Sequence, residues 1–286
     1  GAHRVFIYLD APNDAAFSAL KSHPKCRVTI TDEGYWKRRK GRPEKHQPRQ
    51  TANAPHCYNR NPQVDWLAHI DVDEVLWPTA SIRHQLRALS SDTRSARVRP
   101  IEALAPDPTD APPKGQTWCK SFAEAQQQRR EETNAIYPTY GDHLNGGFLS
   151  HVAGKVFVRT GQPAVVLRIH NAFFNKEADP APAPLSNMHL VHMHAQNWEH
   201  FRQAYAFRLM QGSYRDTLKA APMTEGEALT MHQLFSRLNE QGALEAFYQE
   251  VCTATPKLRK SLHHFGNLHS VTLDLDAKRR AHFPEF

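Results

Sequence analysis

Cysteine is scarce in this chain: four residues in 286, Cys26, Cys57, Cys119 and Cys252, with no Cys-x-x-Cys pair. That spacing supports neither a disulfide framework nor a thiolate zinc site, and the thiols are expected to stay reduced. Long hydrophobic runs are missing too. No stretch approaches the ~18 to 20 apolar residues needed to cross a bilayer, and the amino end has no secretory signal pattern, so a cytoplasmic location is expected. Glycine is sparse, 13 residues against 20 prolines, which points to many rigid loops. No internal repeat of about 20 to 50 residues announces a solenoid or propeller. A hydrophobic content of 40% and a charged content of 23% match a globular chain and exclude a mainly disordered one.

Histidine and positive charge are in excess. The chain has 18 His, and 36 Lys plus Arg against 29 Asp plus Glu give a formal net charge of +7. At ~100 to 200 residues per domain, its length allows one large domain or two small ones with an ample core. Arg4 to Leu9 has the Val, Ile and aromatic content of a buried strand and ends in Asp10 and a turn. Asn13 or Asp14 then caps a helix carrying Phe17 and Leu20, and Arg27 to Ile30 reads as a second strand. This order predicts an α/β fold with a mostly parallel sheet flanked by helices. Lys37 to Arg49, KRRKGRPEKHQPR, reads as a basic loop, followed by a helix containing Gln50 and Ala52. Trp66 to Ile70 is a third strand, ending in Asp71-Val72-Asp73-Glu74. Ser81 to Leu89 has helical spacing of Ile82, Leu86 and Leu89. Arg94 to Val98, Lys155 to Val158, Ala164 to His170 and Met188 to His194 read as strands, 105–115 as a Pro-rich loop, and the chain beyond Asn197 as mostly helical.

The strongest chemical signal is Asp71-x-Asp73 at the carboxyl end of an apolar strand, where open α/β sheets bind ligands. Strand alternation would turn both carboxylates to one side, where they repel each other. A hard divalent cation, Mg²⁺ or Mn²⁺, relieves that repulsion and keeps positions open for phosphate oxygens. A solvated acidic turn is the plain alternative. A second such triplet, Asp274-x-Asp276, has little chain left around it and is read as structural. In His189-x-x-His192-x-His194, His192 and His194 share one strand face, and either would complete a mixed oxygen and nitrogen site; chance clustering in a histidine-rich chain is the alternative. The basic loop lacks interleaved aromatics and matches no nucleic-acid module, so no nucleic-acid partner is expected. Lys155 and Arg159, after Gly154, are candidates to neutralise a diphosphate, with ordinary surface charge as the alternative.

Together these stretches resemble a bacterial glycosyltransferase of the family 2 type, in the branch marked by a Trp, an apolar strand and then DxDEF. Here the match is Trp66-Leu67-Ala68-His69-Ile70-Asp71-Val72-Asp73-Glu74-Val75-Leu76, with Val75 in place of the Phe. Val5 to Asp10, Ser150 to Arg159 and His189 to His194 resemble further strands of that branch, over roughly Gly1 to Arg215. The resemblance implies a GT-A fold, with residues 1–196 as a nucleotide-sugar-binding catalytic domain and 197–286 as a helical extension packed on it. Asp10 would lie near the base or ribose, Asp71 at the ribose or metal, Asp73 on the metal with His192 or His194, and Glu74 in support of the turn. The metal would neutralise the departing nucleoside diphosphate. Inversion, usual in the family, requires a carboxylate to deprotonate the acceptor hydroxyl, and Asp142 is the candidate base; an ordinary Asx turn explains it as well. The implied partners are a nucleotide-sugar and a glycan or lipid-linked glycan, at the inner face of a membrane or free in the cytoplasm. Members open with a further strand and helix before the one at Val5, so the domain reads as amino-terminally incomplete. A degenerate binding protein is the competing expectation, and a basic nucleic-acid binder the more distant one.

Overall fold

A computed structural model describes residues 1–60, 62–211 and 229–285. Its amino-terminal part is a parallel pair, β1 (Val5–Leu9) and β2 (Cys26–Ile30), joined by α1 (Asp14–Ser22). Asn13 is the cap of α1. Its side chain accepts the Ala16 N–H at 2.9 Å, satisfying a donor that the first turn leaves without a partner. Next come α2 (Glu33–Lys37), capped by Asp32, and α3 (His46–Tyr58). Five residues of the expected basic loop, Lys37 at the end of α2 and His46 to Arg49 in α3, are therefore helical. Pro48 is tolerated there because first-turn N–H groups have no intrahelical acceptor.

Seven strands make the central sheet: β3 (Trp66–Ala68), β4 (Glu74–Pro78), β5 (Ser95–Ala103), β6 (Gln116–Lys120), β7 (Lys155–Arg159), and two later ones. Between them lies a small antiparallel sheet of β8 (Val165–Leu167), β9 (Ala172–Phe174) and β10 (Glu177–Ala178). The central sheet is completed by β11 (Ala183–His192) and β12 (Leu268–Thr272). β5 is its branch point. β11 runs parallel along one edge, setting Glu102 beside His192. Along the other edge, β7 pairs with Ser95 to Val98 and β6 with Glu102 and Ala103. β3 extends the sheet from β7, β12 from β6 and β4 from β11.

The expected α/β class, the flanking helices and the helical carboxyl-terminal region are all present. The pairing differs in proportion from the mostly parallel expectation: β1–β2 and β5–β11 are parallel, and the other pairings of the described strands are antiparallel. A parallel pair needs a long crossover, which α1 supplies for β1–β2, whereas loops join β8 to β9 and β5 to β6. β4, β6 and β12 have no counterpart in the sequence expectation. β4 ends in Trp77-Pro78, β6 follows the Pro-rich stretch, and β12 interrupts a region read as helical.

Beside the sheet lie α4 (Ile82–Arg87) and α5 (Gln126–Ile136), then α6 (Trp198–Gln211), α7 (Met231–Glu240), α8 (Leu244–Val251), α9 (Pro256–His264) and α10 (Leu275–His282). The part of the helical expectation at 212–228 lies outside the described residues. Phe201, Phe235, Phe247 and Leu262 pack in one apolar cluster with Leu104, Ile136 and Tyr137, so the carboxyl-terminal helices and the end of β5 share a core. Asp274 is the N-cap of α10, accepting the Ala277 N–H at 3.4 Å, which gives the second DxD a structural use. All four cysteines are free and buried, and burial pushes the Cys119 and Cys252 thiols up to about 12. No helix of the described residues is long and apolar enough to cross a membrane.

One glycine fixes how β7 begins. Gly154 has φ +69°, and a Cβ there would sit 2.1 Å from the Val98 carbonyl oxygen of β5. Gly154→Ala is therefore expected to lower the unfolding free energy by about 2 to 4 kcal/mol, combining a left-handed backbone with overpacking against a strand. Denaturant unfolding checks this, and a change below about 0.5 kcal/mol, the range of ordinary surface substitutions, would contradict it.

Candidate active site

β3 ends at Ala68 and β4 starts at Glu74, so Asp71, Val72 and Asp73 form the connection between them and not a strand end. The Glu74 N–H donates to the Asp71 carbonyl at 3.1 Å, and the Glu74 carboxylate accepts the Asp71 N–H at 2.8 Å. This corrects the expectation from strand alternation. The turn leaves Val72 fully exposed at its tip and sends its two carboxylates to different partners.

Asp71 faces cations and amides. Its Oδ2 accepts from Lys155 Nζ at 2.7 Å and its Oδ1 from Gln50 Nε2, on α3, at 2.8 Å. Lys155 is 0% exposed and also lies 3.4 Å from Glu74. It stands beneath the turn, compensating two carboxylates. Burial pushes the Glu74 carboxyl above the ordinary range, and the Lys155 charge opposes that rise.

Asp73 faces histidines. His192 Nε2 donates to Asp73 Oδ2 at 3.0 Å, and the Asp73 carbonyl accepts the Met193 N–H at 2.8 Å. Burial would raise the Asp73 carboxyl, but the His192 hydrogen bond and charge outweigh it and bring the group to about 2. Burial likewise opposes charge on His192, and Asp73 outweighs it to hold the imidazole above 6.5. His194 is buried, with Nε2 accepting from Arg208 of α6 and Nδ1 without a hydrogen-bond partner among the described residues. Glu102, one strand over on β5, completes the group. Glu102, His192 and His194 each place a ligand atom within 4.8 Å of the others. His189 points away, stacked on Trp77 with centroids 5.9 Å apart, as alternation along the strand predicts.

Glu102 was not singled out from sequence. The strand expected over Arg94 to Val98 runs on to Ala103 in β5, through Pro100, which lacks a ladder donor. The available signal was a single acid inside the apolar run Ile101 to Ala105. Glu102 is 2% exposed and neutralised by Lys120 at 3.2 Å, with the Leu149 and Ser150 N–H groups donating at 3.2 and 3.0 Å. Lys120 spends its remaining donors on the Gly147 and Val251 carbonyls, at 2.6 and 2.7 Å.

The other sequence candidates divide. Asp10, at the carboxyl end of β1, is held by Arg42 at 3.1 Å and Arg49 at 2.9 Å. His46 lies between the fields of Asp10 and Asp71. Burial lowers its imidazole, Arg49 and Arg208 lower it further, and the two carboxylates oppose. Thus α3 joins the ends of β1 and β3, and a basic flank faces the turn. Arg159 is not brought there. It sits at the far end of β7, about 13 Å along the strand from Lys155, donating to the Thr93 and Ser90 carbonyls and lying over Trp66. Asp142 is on an exposed turn, accepting from Asn134 at 2.7 Å, with none of the residues above among its hydrogen-bond partners.

The ion-free Asp73–His192 pair has a defined pH window. Asp73 is depressed, so its contribution is present above its unfolded value near 3.8 and is lost as pH falls toward about 2. His192 is raised, so its contribution is full below 6.5 and is lost as pH rises through its higher folded value. The stability difference between wild type and His192→Gln, measured without metal, is therefore expected to peak between about pH 4 and 6.5. A difference that is flat from pH 3 to 9 would contradict the pairing.

No curated protein and no solved structure matches this chain. A family model does, that of glycosyltransferase family 92, over residues 1–225. The matched span holds the Asp71–Asp73 turn, Glu102, Lys155 and the His192–His194 pair. The sequence resemblance had named family 2, and the match places glycosyl transfer in a different family. The chain belongs to glycosyltransferase family 92.

Proposed function

We propose that this glycosyltransferase is metal-dependent, takes a nucleotide-sugar as donor and passes the sugar to a glycan or lipid-linked glycan, in the cytoplasm or at the inner face of its membrane. The observation that carries the reading is the convergence of Glu102, His192 and His194, each with a ligand atom within 4.8 Å of the others, with Asp73 bound to His192 and a buried His194 Nδ1 that has no hydrogen-bond partner among the described residues. A buried polar nitrogen left unpaired is costly, and a ligand accounts for it. The donor set fits a divalent cation: the His192 imidazole beside carboxylate oxygens favours Mn²⁺ over Mg²⁺, which prefers oxygen alone, while His194, its Nε2 lone pair taken by Arg208, faces the site with an Nδ1–H donor.

When bound, such a cation supplies Lewis-acid neutralisation of the leaving diphosphate. The chain's own residues do the rest. Lys155 and Gln50 hold Asp71 by both oxygens, fixing the turn on which Asp73 depends. Arg42 and Arg49 form the flank where a diphosphate meets positive charge, with His46 beside them as a neutral imidazole, and the salt bridges to Asp10 keep the two guanidinium groups in place. The exposed Val72 and partly exposed Asp71 leave room above the turn for the donor.

The test is calorimetric titration with UDP and GDP, with and without Mn²⁺. Nucleoside diphosphate binding is expected to require the metal, and Asp73→Ala and His194→Ala are each expected to weaken Mn²⁺ by at least about tenfold. Equal, metal-independent binding by wild type and both variants would overturn the reading. Release of nucleoside diphosphate from a panel of nucleotide-sugars then identifies the donor.

A further inference from the structure

Two imidazoles within the field of Lys155 take no part in the centre described above. His151, on the loop leading into β7, and His170, between β8 and β9, stack with ring centroids 3.6 Å apart and planes 7° from parallel. His170 is partly covered, whereas His151 is exposed, so the stack presents one outer ring to solvent.

The stack is tied to both halves of the active site. The residue before His151, Ser150, donates its N–H to Glu102 at 3.0 Å. His170 Nδ1 meets the Gly154 carbonyl at 3.0 Å, and the next residue is Lys155, bound to Asp71. A single guanidinium clamps the two segments: Arg97 donates to the Ala153 and His170 carbonyls at 2.7 and 3.1 Å and to Asn171 Oδ1 at 2.8 Å. Asp71 thus has the basic α3 flank on one oxygen and the histidine stack, through Lys155, on the other.

The hydrogen bonds also assign the tautomers. The Ala153 N–H donates to His151 Nδ1 at 2.9 Å, so the neutral ring carries its proton on Nε2. His170 Nδ1 faces a carbonyl, so that nitrogen is protonated and Nε2 keeps a lone pair. Loss of hydration, followed by the Lys155 and Arg97 charges, lowers His151, and loss of hydration beside His151 brings His170 to about 4. Both rings are neutral at neutral pH.

A flat neutral platform with one N–H donor and one nitrogen acceptor does not suit a phosphate. The nearby cations are already engaged, Lys155 beneath the turn and Arg97 on carbonyls. It does not suit a metal ion either, because in-plane lone pairs of parallel rings do not converge on one point. A pyranose matches it: its C–H face is apolar, and its hydroxyls both donate and accept.

We propose that the His151–His170 stack is the acceptor-sugar subsite, with the face of a pyranose on the outer His151 ring and its hydroxyls on the free ring nitrogens. The proposal rests on the glycosyltransferase reading of the Asp73, His192 and His194 centre. Its test is ligand-observed saturation-transfer NMR on the full chain with methyl glycosides of glucose, galactose and mannose as probes. At least one glycoside is expected to receive saturation on its ring C–H protons. His151→Ala is expected to weaken that glycoside by about tenfold, and His151→Phe, which keeps a flat ring, by much less. Mn²⁺-dependent UDP or GDP binding, measured on the same samples, is expected to be the same in all three proteins. No glycoside binding, or equal binding by wild type and His151→Ala, overturns the subsite. Weakened UDP or GDP binding in His151→Ala also overturns it, by placing the stack in the donor's pocket. Absence of metal-dependent nucleotide binding in wild type fails the donor-site reading instead, so the two failures are told apart.

Discussion

Lys155 begins β7 with no exposed surface, and a buried ammonium without an anion is costly by several kcal/mol. Asp71 and Glu74 are the anions it meets, and both belong to the connection between β3 and β4. The position of that connection is therefore set by the need to pair one charge. Gly154 makes the geometry available, since only a residue without Cβ lets the chain pass so close to the Val98 carbonyl before turning into β7. The Lys155 contacts hold Asp71 and Glu74 on one side of the turn, and Asp73 is tied on the other to His192 and Met193.

With Asp71 compensated from below, the two acids of the turn are chemically unequal. Asp71 is satisfied by an ammonium and an amide, and its charge is spent within the protein. Asp73 instead meets an imidazole that can give up its proton, next to a buried glutamate and a second imidazole whose Nδ1 has no hydrogen-bond partner among the described residues. Glu102 and Lys120 extend this arrangement into the core. Lys120 links Glu102 to the Gly147 carbonyl and to Val251 at the end of α8, so the floor of the site is anchored to the carboxyl-terminal helices. That coupling explains how helices distant in sequence bear on the centre: they hold the carboxylate next to the histidines.

Much of this was legible in the sequence where local chemistry decides it. The β1–α1–β2 unit followed from an apolar run and an Asn cap, and the DxD and His192-x-His194 patterns led to residues that lie together in space. The sequence could not show that the DxD lies in a turn, because a three-residue strand and a five-residue one read alike when both are flanked by polar residues. Nor could it show that Lys155 is buried, since its partners Asp71 and Glu74 are 84 and 81 residues away. Glu102 lay beyond the strand expected over Arg94 to Val98, and β12 was hidden by helical neighbours, because an edge strand that adds to β6 is specified by its partner more than by its own residues. Arg159 shows the reverse error: a plausible cation by spacing, it is committed to carbonyls and an indole at the wrong end of the strand.

The account turns on the inequality of the two aspartates. Anomalous diffraction from crystals soaked in Mn²⁺ tests it directly. A peak coordinated by Asp73 together with His192, with the Lys155–Asp71 pair intact, is the predicted result. A peak held by Asp71, with Lys155 displaced from it, would contradict the account.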